Sequence, residues 1–336
     1  MRVAVTGGGT GGHVFPALAV GEELARRGHE VFYVGAEGLE AQVVPGRLPF
    51  YALSAGKIDR TAFRPGELFK TAKGLIQALA LAQKLRPQAV FATGGYAAFP
   101  FALAARLLGA RLYLHEQNAA LGLTNRVLRP LAKEVLFAMP QAGGKAVGMP
   151  IDETRYPKEE ARRRLGLDPE RPTLLVMGGS QGARVFNRRL PALLAPFLDD
   201  VQVLHAAGRG RAEEVRPPGP GYQVREFVEG PLAWSAADLA ITRAGAMTLA
   251  EAAFFRVPPI LVPYPFAADD HQRKNARRYA EAGAAWVVEE DAIESVNEAL
   301  SELLNEDRRA AMAQALAAFN PAGSAATIAD LIEEEA

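Results

Sequence analysis

The chain has 336 residues, of which 49% are hydrophobic and 23% are charged, and its formal net charge is zero. This length favours two domains over one, and this composition is typical of a folded globular protein. The zero net charge argues against broad electrostatic binding to nucleic acid, and the absence of cysteine excludes disulfides and thiolate metal sites.

The first segment, Arg2 to Thr6, is a short apolar run that is typical of a buried strand. Five glycines follow between Gly7 and Gly12, and an amphipathic segment extends from about Pro16 to Arg27. This order predicts a strand, a glycine turn and a helix, which together present backbone N–H groups to an anion. His13 lies at the end of the turn, where a helix N-terminus disfavours imidazolium and suits a neutral general base. A purely structural histidine is the alternative.

Further strands and helices alternate along the first half of the chain. Strands are predicted at Val31 to Val34, Ala89 to Ala92 and Arg111 to Leu114, with helices at Glu67 to Leu85 and Pro100 to Leu108. A second glycine turn, Thr93 to Tyr96, follows the strand that ends at Ala92. Strands that alternate with helices indicate parallel βαβ units.

The second half repeats the opening pattern after a linker near Gly148-Met149-Pro150. Thr173 to Met177 is predicted to be a strand, and Gly178 to Gly182 forms a third glycine turn before a helix. Further strands are predicted at Gln202 to His205, Leu239 to Thr242 and Ile260 to Val262, with helices at Ala299 to Phe319 and Thr327 to Glu334. The repetition predicts two similar α/β domains.

Two groups in the second half have the chemistry to hold a nucleotide. Ser180 and Gln181 place a hydroxyl and an amide beside free N–H groups, which fits a diphosphate, although a serine that only caps its helix is the alternative. Glu251 is predicted one turn into a helix that follows the segment Arg243 to Thr248, where its carboxylate could accept two vicinal hydroxyls. A favourable charge at a helix start is the alternative.

A polar segment, Asp269 to Gln272, follows the last predicted strand and a proline-rich turn. Its two acids and His271 resemble metal ligands, but adjacent acids chelate one ion poorly and no Asp-x-Asp occurs in the chain. We therefore favour polar contacts with a sugar, and an Asp-capped helix start is the alternative.

An apolar and basic segment in the first half has the composition of a membrane-binding surface. It comprises Phe63, Phe69, Leu75, Ile76 and Leu79, interleaved with Arg60, Arg64, Lys70 and Lys73. An ordinary core-facing helix is the alternative for the Leu and Ile positions. Neither an export signal nor a spanning helix is evident, so we expect a cytoplasmic protein without a transmembrane segment.

Six segments in order resemble the MurG family of peptidoglycan glycosyltransferases over nearly the whole chain. They are GGGTGGHVFP from Gly7, TGGYAAFP from Thr93, HEQNAALGLTN from His115, GGSQGARVFN from Gly178, RAGAMTLAE from Arg243 and DDHQRKNA from Asp269. The resemblance implies a GT-B fold, an α/β architecture of two Rossmann-like domains whose parallel sheets face each other across a cleft. It implies an acceptor (lipid) domain at 1–148, joined by the C-terminal helix 320–336, and a UDP-sugar donor domain at 149–319.

The resemblance also implies a donor site for UDP-N-acetylglucosamine. In this site Val228 meets uracil through its backbone, Glu251 meets the ribose, Ser180 and Gln181 meet the diphosphate, and His271 and Gln272 meet the sugar. His271 stands where other members carry Gln. The segment before Glu251 completes the donor-binding set, with Ala246, Met247 and Thr248.

For the acceptor, the resemblance implies lipid I, an undecaprenyl-pyrophosphoryl-muramyl-pentapeptide. Its binding residues are expected on the glycine turns and the following segments: Thr10, Gly11, Gly12, Gly94, Gly95, Tyr96, His115 and Asn118. His13 is the expected base, with Glu116 as the alternative. The implied reaction inverts the anomeric carbon as lipid I becomes lipid II. We expect no cofactor, no metal and no nucleic acid, and a peripheral position on the cytoplasmic face of an anionic cell membrane.

One segment departs from the family pattern. Many members read G-N-P-V-R at the domain boundary, where the Arg contacts nucleotide phosphate, whereas this chain has Asp152 after Gly148-Met149-Pro150-Ile151. Arg155 or Arg184 are the substitutes we consider.

Three other functions compete with this interpretation. A UDP-N-acetylglucosamine 2-epimerase, or another lipid glycosyltransferase, would share the fold, but an epimerase leaves the basic apolar segment unexplained. A nicotinamide-dependent oxidoreductase would use Gly7 to Gly12 but leave the third glycine turn and Glu251 without a role. A non-catalytic module would bind the nucleotide sugar without turnover.

Overall fold

The structure, a computed structural model, describes residues 1–54, 65–141 and 144–334, with the backbone alone for 65–72. The chain divides into two compact units. Unit 1 comprises Met1–Ile151 together with the residues from Gly323 onward, and unit 2 comprises Asp152–Ala322. Phe63, Arg60 and Arg64, and the side chains of Phe69 and Lys70, lie outside the described residues.

In the described part of unit 1, parallel strands form a seven-stranded sheet with the order β3-β2-β1-β4-β5-β6-β7. The strands are β1 (Arg2–Thr6), β2 (Glu30–Gly35), β3 (Phe50–Ala52), β4 (Ala89–Ala92), β5 (Arg111–Glu116), β6 (Glu134–Phe137) and β7 (Lys145–Ala146). The helices are α1 (Gly11–Arg26), α2 (Glu40–Val43), α3 (Pro65–Leu85), α4 (Phe99–Leu107), α5 (Leu123–Leu128) and, at the C-terminal end, α13 (Ser324–Glu333).

Helices cover both faces of this sheet, as alternation along the strands requires. Val3 and Val5 of β1 pack with α1 and α13, and Ala4 between them packs on the opposite face with Phe101 of α4. Charged contacts fix α13 to α1, because Arg27 contacts Asp330 at 2.5 Å. The helix that ends the chain is thereby part of unit 1.

Unit 2 repeats the design, and its described strands form a six-stranded parallel sheet with the order β10-β9-β8-β11-β12-β13. The strands are β8 (Thr173–Met177), β9 (Gln202–Ala206), β10 (Tyr222–Arg225), β11 (Leu239–Thr242), β12 (Pro259–Leu261) and β13 (Trp286–Val287). The helices are α6 (Lys158–Arg164), α7 (Arg184–Leu194), α8 (Gly230–Ala236), α9 (Ala246–Phe255), α10 (His271–Glu281), α11 (Val296–Leu303) and α12 (Glu306–Leu316).

The predicted class, with two Rossmann-like parallel sheets, is confirmed, and two local predictions were wrong. The first helix begins at Gly11 inside the glycine turn rather than near Pro16. The helix predicted at Ala299 to Phe319 is two helices, because Asn305 ends the first and caps the second by accepting a hydrogen bond from the Arg308 amide at 3.1 Å.

The strand order sets where ligands can bind. In unit 1 the order reverses between β1 and β4, and in unit 2 it reverses between β8 and β11. Loops at the carboxyl ends of such strands form the usual crevice for ligands in open α/β sheets. All three glycine turns follow strands at these two reversal points.

Candidate functional site

The first glycine turn joins β1 to α1, and a side-chain hydrogen bond from β2 holds it in place. The Tyr33 hydroxyl donates to the Gly7 carbonyl at 2.6 Å, and Gly9 adopts a φ of +87°, which favours glycine. Thr10 precedes the helix in an extended conformation, and Gly11 and Gly12 are its first two residues. The N–H groups at such positions have no partner inside a helix, so the turn can receive an anion.

The second glycine turn, after β4, packs directly on the first. Gly94 and Gly95 have φ values of +90° and +80°, and a Cβ on Gly95 would collide with the Gly8 carbonyl. The Thr93 hydroxyl donates to the His13 carbonyl at 2.7 Å. A Cβ on Gly9 would lie 2.7 Å from the Tyr96 ring. The structure therefore brings the two turns, His13 and Tyr96 together within unit 1.

Gln117, in the segment after β5, connects that segment to His13. Its Oε1 lies 3.0 Å from His13 Nδ1, and its Nε2 lies 3.1 Å from His115 Nδ1. His115 Nε2 donates to the Gly148 carbonyl at 2.9 Å. His115 is fully buried, and burial lowers its pKa to about 4. We expected His115 to contact the acceptor, but both its ring nitrogens already have hydrogen-bond partners inside the unit. Its position therefore suits orienting Gln117 rather than binding a ligand.

Glu116 is buried, and its carboxylate accepts four hydrogen bonds. Oε1 accepts from the Asn118 amide at 3.1 Å and from its Nδ2 at 3.3 Å. Oε2 accepts from the Gly122 amide and from Asn125 Nδ2, both at 2.9 Å. A carboxylate with this many donors shapes the loop that follows β5 and is poorly placed to take a proton from a substrate. This geometry favours His13 over Glu116 as the base.

The third glycine turn, in unit 2, follows β8. Gly182 has a φ of +68°, and a Cβ there would collide with the Ala207 carbonyl, so glycine is required. Ser180 and Gln181 are exposed at the tip of the turn. Ala183 is the residue that precedes α7, and no side chain caps this helix. Ser180 is thus not a helix cap, which leaves its hydroxyl for another role.

Glu251 lies on the second turn of α9, against α8. Trp234 Nε1 donates to Glu251 Oε2 at 3.0 Å. Burial raises the pKa of Glu251 to about 7, and the carboxylate of Asp152 adds to the rise. Ala246, Met247 and Thr248 form the half-buried first turn of the same helix, and half-buried Val228 lies between β10 and α8.

Gln272 ties the loops after β11 and β12 together. Its Oε1 accepts from the Ala244 amide at 3.2 Å and from the Tyr264 amide at 3.0 Å, which leaves Nε2 as the group that can face a ligand. His271 Nδ1 donates to the Ala268 carbonyl at 2.7 Å. Asp270 contacts Arg273 at 3.3 Å, so its carboxylate already has a cationic partner.

The described ranges contain neither a cluster of metal-ligating side chains nor a membrane-spanning helix. In residues 1–54, 65–141 and 144–334, no group of three or more His, Asp or Glu side chains could hold a metal ion. Among these same residues, no helix is long and apolar enough to cross a membrane.

Comparisons with known proteins agree on one family. The glycosyltransferase family 28 N-terminal domain matches residues 3–137, and the C-terminal domain of that family matches residues 173–332. A Thermus thermophilus protein is 53% identical over 98% of this chain and 99% of its own length. Its name is UDP-N-acetylglucosamine--N-acetylmuramyl-(pentapeptide) pyrophosphoryl-undecaprenol N-acetylglucosamine transferase. The crystal structure of Acinetobacter baumannii MurG, 33% identical, matches 99% of both chains with a TM-score of 0.83.

The chain belongs to the MurG family. A calicheamicin glycosyltransferase, CalG4, shares the fold at 19% identity, with a TM-score of 0.74. The GT-B fold inferred from the six motifs is therefore confirmed.

The MurG-family arginine at the domain boundary has no direct replacement at position 152. Asp152 Oδ1 accepts from the Thr154 amide at 3.0 Å, as in an Asx turn. Arg155 stacks 4.3 Å over the Phe254 ring and donates to the Phe254 carbonyl, so its guanidinium is already engaged at a residue three positions after Glu251 on α9. Arg184 is exposed as the first residue of α7, four residues after Ser180 in the chain. Of the two candidates, Arg184 is the better placed to meet a diphosphate.

Two residues that hydrogen-bond to predicted site residues were missed from the sequence. Gln117 was not assigned a role, although it lies between two histidines that were. Trp234 was also missed, although its indole N–H orients Glu251. The HEQN motif could have pointed to Gln117, whereas no sequence signal links Trp234 to Glu251.

Proposed function

We propose that the chain transfers N-acetylglucosamine from UDP-N-acetylglucosamine to the C4 hydroxyl of the muramyl sugar in lipid I, with inversion at the anomeric carbon. The observation that carries this proposal is the 53% identity, over almost the full length of both chains, to the named Thermus thermophilus transferase. The six motifs and the geometry of both units supply the residues for each step.

Donor binding is assigned to unit 2. Glu251 Oε1 accepts the ribose hydroxyls while Trp234 holds Oε2, and the backbone of Val228 meets uracil. Gln272 donates from Nε2 to the sugar, because its Oε1 is used by two backbone amides. His271 keeps its proton on Nδ1 toward Ala268, so Nε2 of the neutral ring accepts a sugar hydroxyl. The first turn of α9 completes the donor site with Ala246, Met247 and Thr248.

Acceptor binding is assigned to the two glycine turns of unit 1. Thr10, Gly11 and Gly12 offer the N-terminus of α1 to the lipid diphosphate, and a Cβ on Gly12 would lie 3.8 Å from the Thr10 hydroxyl oxygen without a clash. Gly94 and Gly95 let the second turn approach closely, and Tyr96 and Asn118 border it.

In the transfer step the acceptor hydroxyl loses its proton to His13 Nε2. Its oxygen forms a bond to the anomeric carbon as the bond to UDP breaks, and UDP leaves with that electron pair. The N–H groups of the Gly178 to Gly182 turn, together with Ser180 and Arg184, stabilise the charge that grows on the diphosphate. The imidazolium then releases its proton to solvent.

We also propose that unit 1 rests against the anionic cytoplasmic face of the cell membrane, where a lipid-linked acceptor must remain. The support lies on two helices that both contact α4. Ile76 and Leu79 are exposed on α3 beside exposed Lys73, and Leu123 and Val127 are exposed on α5. Exposed apolar side chains next to basic ones suit an anionic bilayer surface.

The proposed reaction is tested by incubating the chain with UDP-N-acetylglucosamine and a soluble lipid I analogue, followed by mass spectrometry of the lipid. We expect a product heavier by one N-acetylhexosamine and an equal amount of UDP. Conversion of the donor to its 2-epimer without any acceptor would instead identify an epimerase and contradict the proposal.

A further inference from the structure

Three side chains of unit 1 form a hydrogen-bonded chain that ends on a backbone carbonyl. The order is His13, Gln117, His115 and the carbonyl of Gly148, with separations of 3.0, 3.1 and 2.9 Å. Gln117 Nε2 also donates to the His115 carbonyl at 3.0 Å. Gln117 and His115 are buried, whereas His13 is half-buried at the start of α1.

The positions of the protons along this chain follow from its far end. A carbonyl oxygen can only accept, so His115 Nε2 carries a proton. Burial keeps His115 neutral, with a pKa of about 4, so its Nδ1 holds a lone pair and accepts. The group of Gln117 that faces His115 must therefore be the amide NH₂.

This assignment fixes the orientation of the Gln117 amide and the protonation of His13. A flipped amide would place Oε1 against both the His115 carbonyl and the lone pair of Nδ1, which is repulsive. Oε1 consequently faces His13, and an oxygen that only accepts requires a proton on His13 Nδ1. In the neutral ring, the lone pair then lies on Nε2.

We propose that Gln117 is a positioning residue that holds His13 as the Nδ1–H tautomer, with Nε2 directed to take the acceptor proton. The proposal rests on the proposed function only in giving Nε2 that task. A neutral amide at this place orients the ring without adding a negative charge, so His13 stays unprotonated at lower pH than it would beside a carboxylate. In this arrangement His115 orients the side-chain amide of Gln117.

Other titratable groups also surround the His13 turn. Glu40 lies beneath Gly8, where its Oε1 accepts from the Ala36 amide at 3.1 Å. The Tyr33 hydroxyl donates to Gly7, and burial raises its pKa well above the ordinary value, so it stays neutral. Tyr96 packs on Gly9, and Glu116 is engaged with its own loop. Among the described side chains, Gln117 is the one with a hydrogen bond to His13 Nδ1.

The tautomer of His13 is tested by ¹⁵N NMR of the full chain with labelled histidine. The chain has only five histidines, so few signals are expected. Loss of one signal in His13→Ala assigns His13. We expect a protonated Nδ1 and an unprotonated Nε2 in the wild-type spectrum above the acidic limb of the pH–rate profile. A proton on Nε2 instead would overturn the proposal without any need for a variant.

Two substitutions at position 117 separate positioning from packing. Gln117→Leu should release the His13 tautomer and lower kcat by up to about 10²-fold, the cost of misplacing a reacting group, with donor KM unchanged. Gln117→Glu should move the acidic limb to higher pH, because a carboxylate stabilises the imidazolium. Gln141→Leu is the matched control, since it removes a second glutamine amide at the same loop, where Gln141 Nε2 donates to the Asn118 carbonyl at 3.1 Å.

The outcomes distinguish this proposal from the proposed function. An unchanged His13 tautomer in Gln117→Leu, or an unmoved acidic limb in Gln117→Glu, would refute the role of Gln117. A tautomer that changes as expected while His13→Ala retains full transfer would leave Gln117 as the residue that orients His13 and refute His13 as the base.

Discussion

Donor affinity should depend on pH through a single carboxylate, Glu251. Because its pKa is about 7, Glu251 is ionised in about one tenth of the ligand-free molecules at pH 6 and in about nine tenths at pH 8. In the proposed donor site two ribose hydroxyls donate to Glu251, so the ionised form of Glu251 is the one expected to bind. The Kd for UDP-N-acetylglucosamine should therefore tighten about 10-fold from pH 6 to pH 8, which is about 1.4 kcal/mol.

The assay is isothermal titration calorimetry across this pH range with UDP-N-acetylglucosamine, whose diphosphate is esterified at both ends and does not titrate there. Glu251→Gln keeps an oxygen for Trp234 and should give a flat profile, with binding weaker by about 1–3 kcal/mol at pH 8. Asp152→Asn should move the midpoint to lower pH, because Asp152 helps to raise the Glu251 pKa. His271→Gln controls for the imidazole in the same unit. A flat wild-type profile, or wild-type affinity in Glu251→Gln, would refute this account of the donor site.

Three further predictions concern metal, membrane and the alternative base. Transfer should persist in EDTA, because the chain has neither Asp-x-Asp nor cysteine; complete loss that a divalent ion restores would contradict the helix-dipole account. Replacing Ile76 and Leu79 with Ser and Lys73 with Glu should weaken binding to anionic vesicles, by about 1 kcal/mol for the charge alone, without lowering Tm. Phe266→Ser, at an exposed aromatic of unit 2, is the control, and equal loss in both would remove α3 from the membrane surface. Glu116→Gln should destabilise the chain by about 1–3 kcal/mol through lost hydrogen bonds and keep the acidic limb of the pH–rate profile, whose disappearance would make Glu116 the base.

The interior strands other than β6, which is only partly buried, could be predicted from sequence because they are buried on both faces. β1, β4, β8 and β11 are continuous apolar runs, and the structure has each of them at the predicted residues. The edge strands were missed, because segments such as β7 and β13 have only two residues in the ladder. Such short pairings depend on neighbouring strands rather than on local pattern.

The glycine turns could be predicted as well, but not the contacts among them. His13 and Gln117 are 104 residues apart, and no spacing rule says which amide atom of Gln117 faces the ring. The same holds for Trp234 and Glu251, whose pairing depends on how α8 packs beside α9. Glu116 shows the converse, because a carboxylate in the HEQN segment resembles a catalytic group until its four donors are seen.

The most direct test of the account is radiolabel transfer from UDP-N-acetylglucosamine to a lipid I analogue, measured for the wild type and His13→Ala alongside donor affinity. We expect the wild type to label the lipid only when both substrates are present. His13→Ala should bind the donor with nearly unchanged affinity, because the proposed donor residues belong to unit 2, and transfer should slow by about 10²–10⁴-fold, the usual contribution of a general base. If His13→Ala labels the lipid at the wild-type rate, His13 is not the base. If the wild type binds the donor but labels no lipid, the proposed transfer reaction is contradicted.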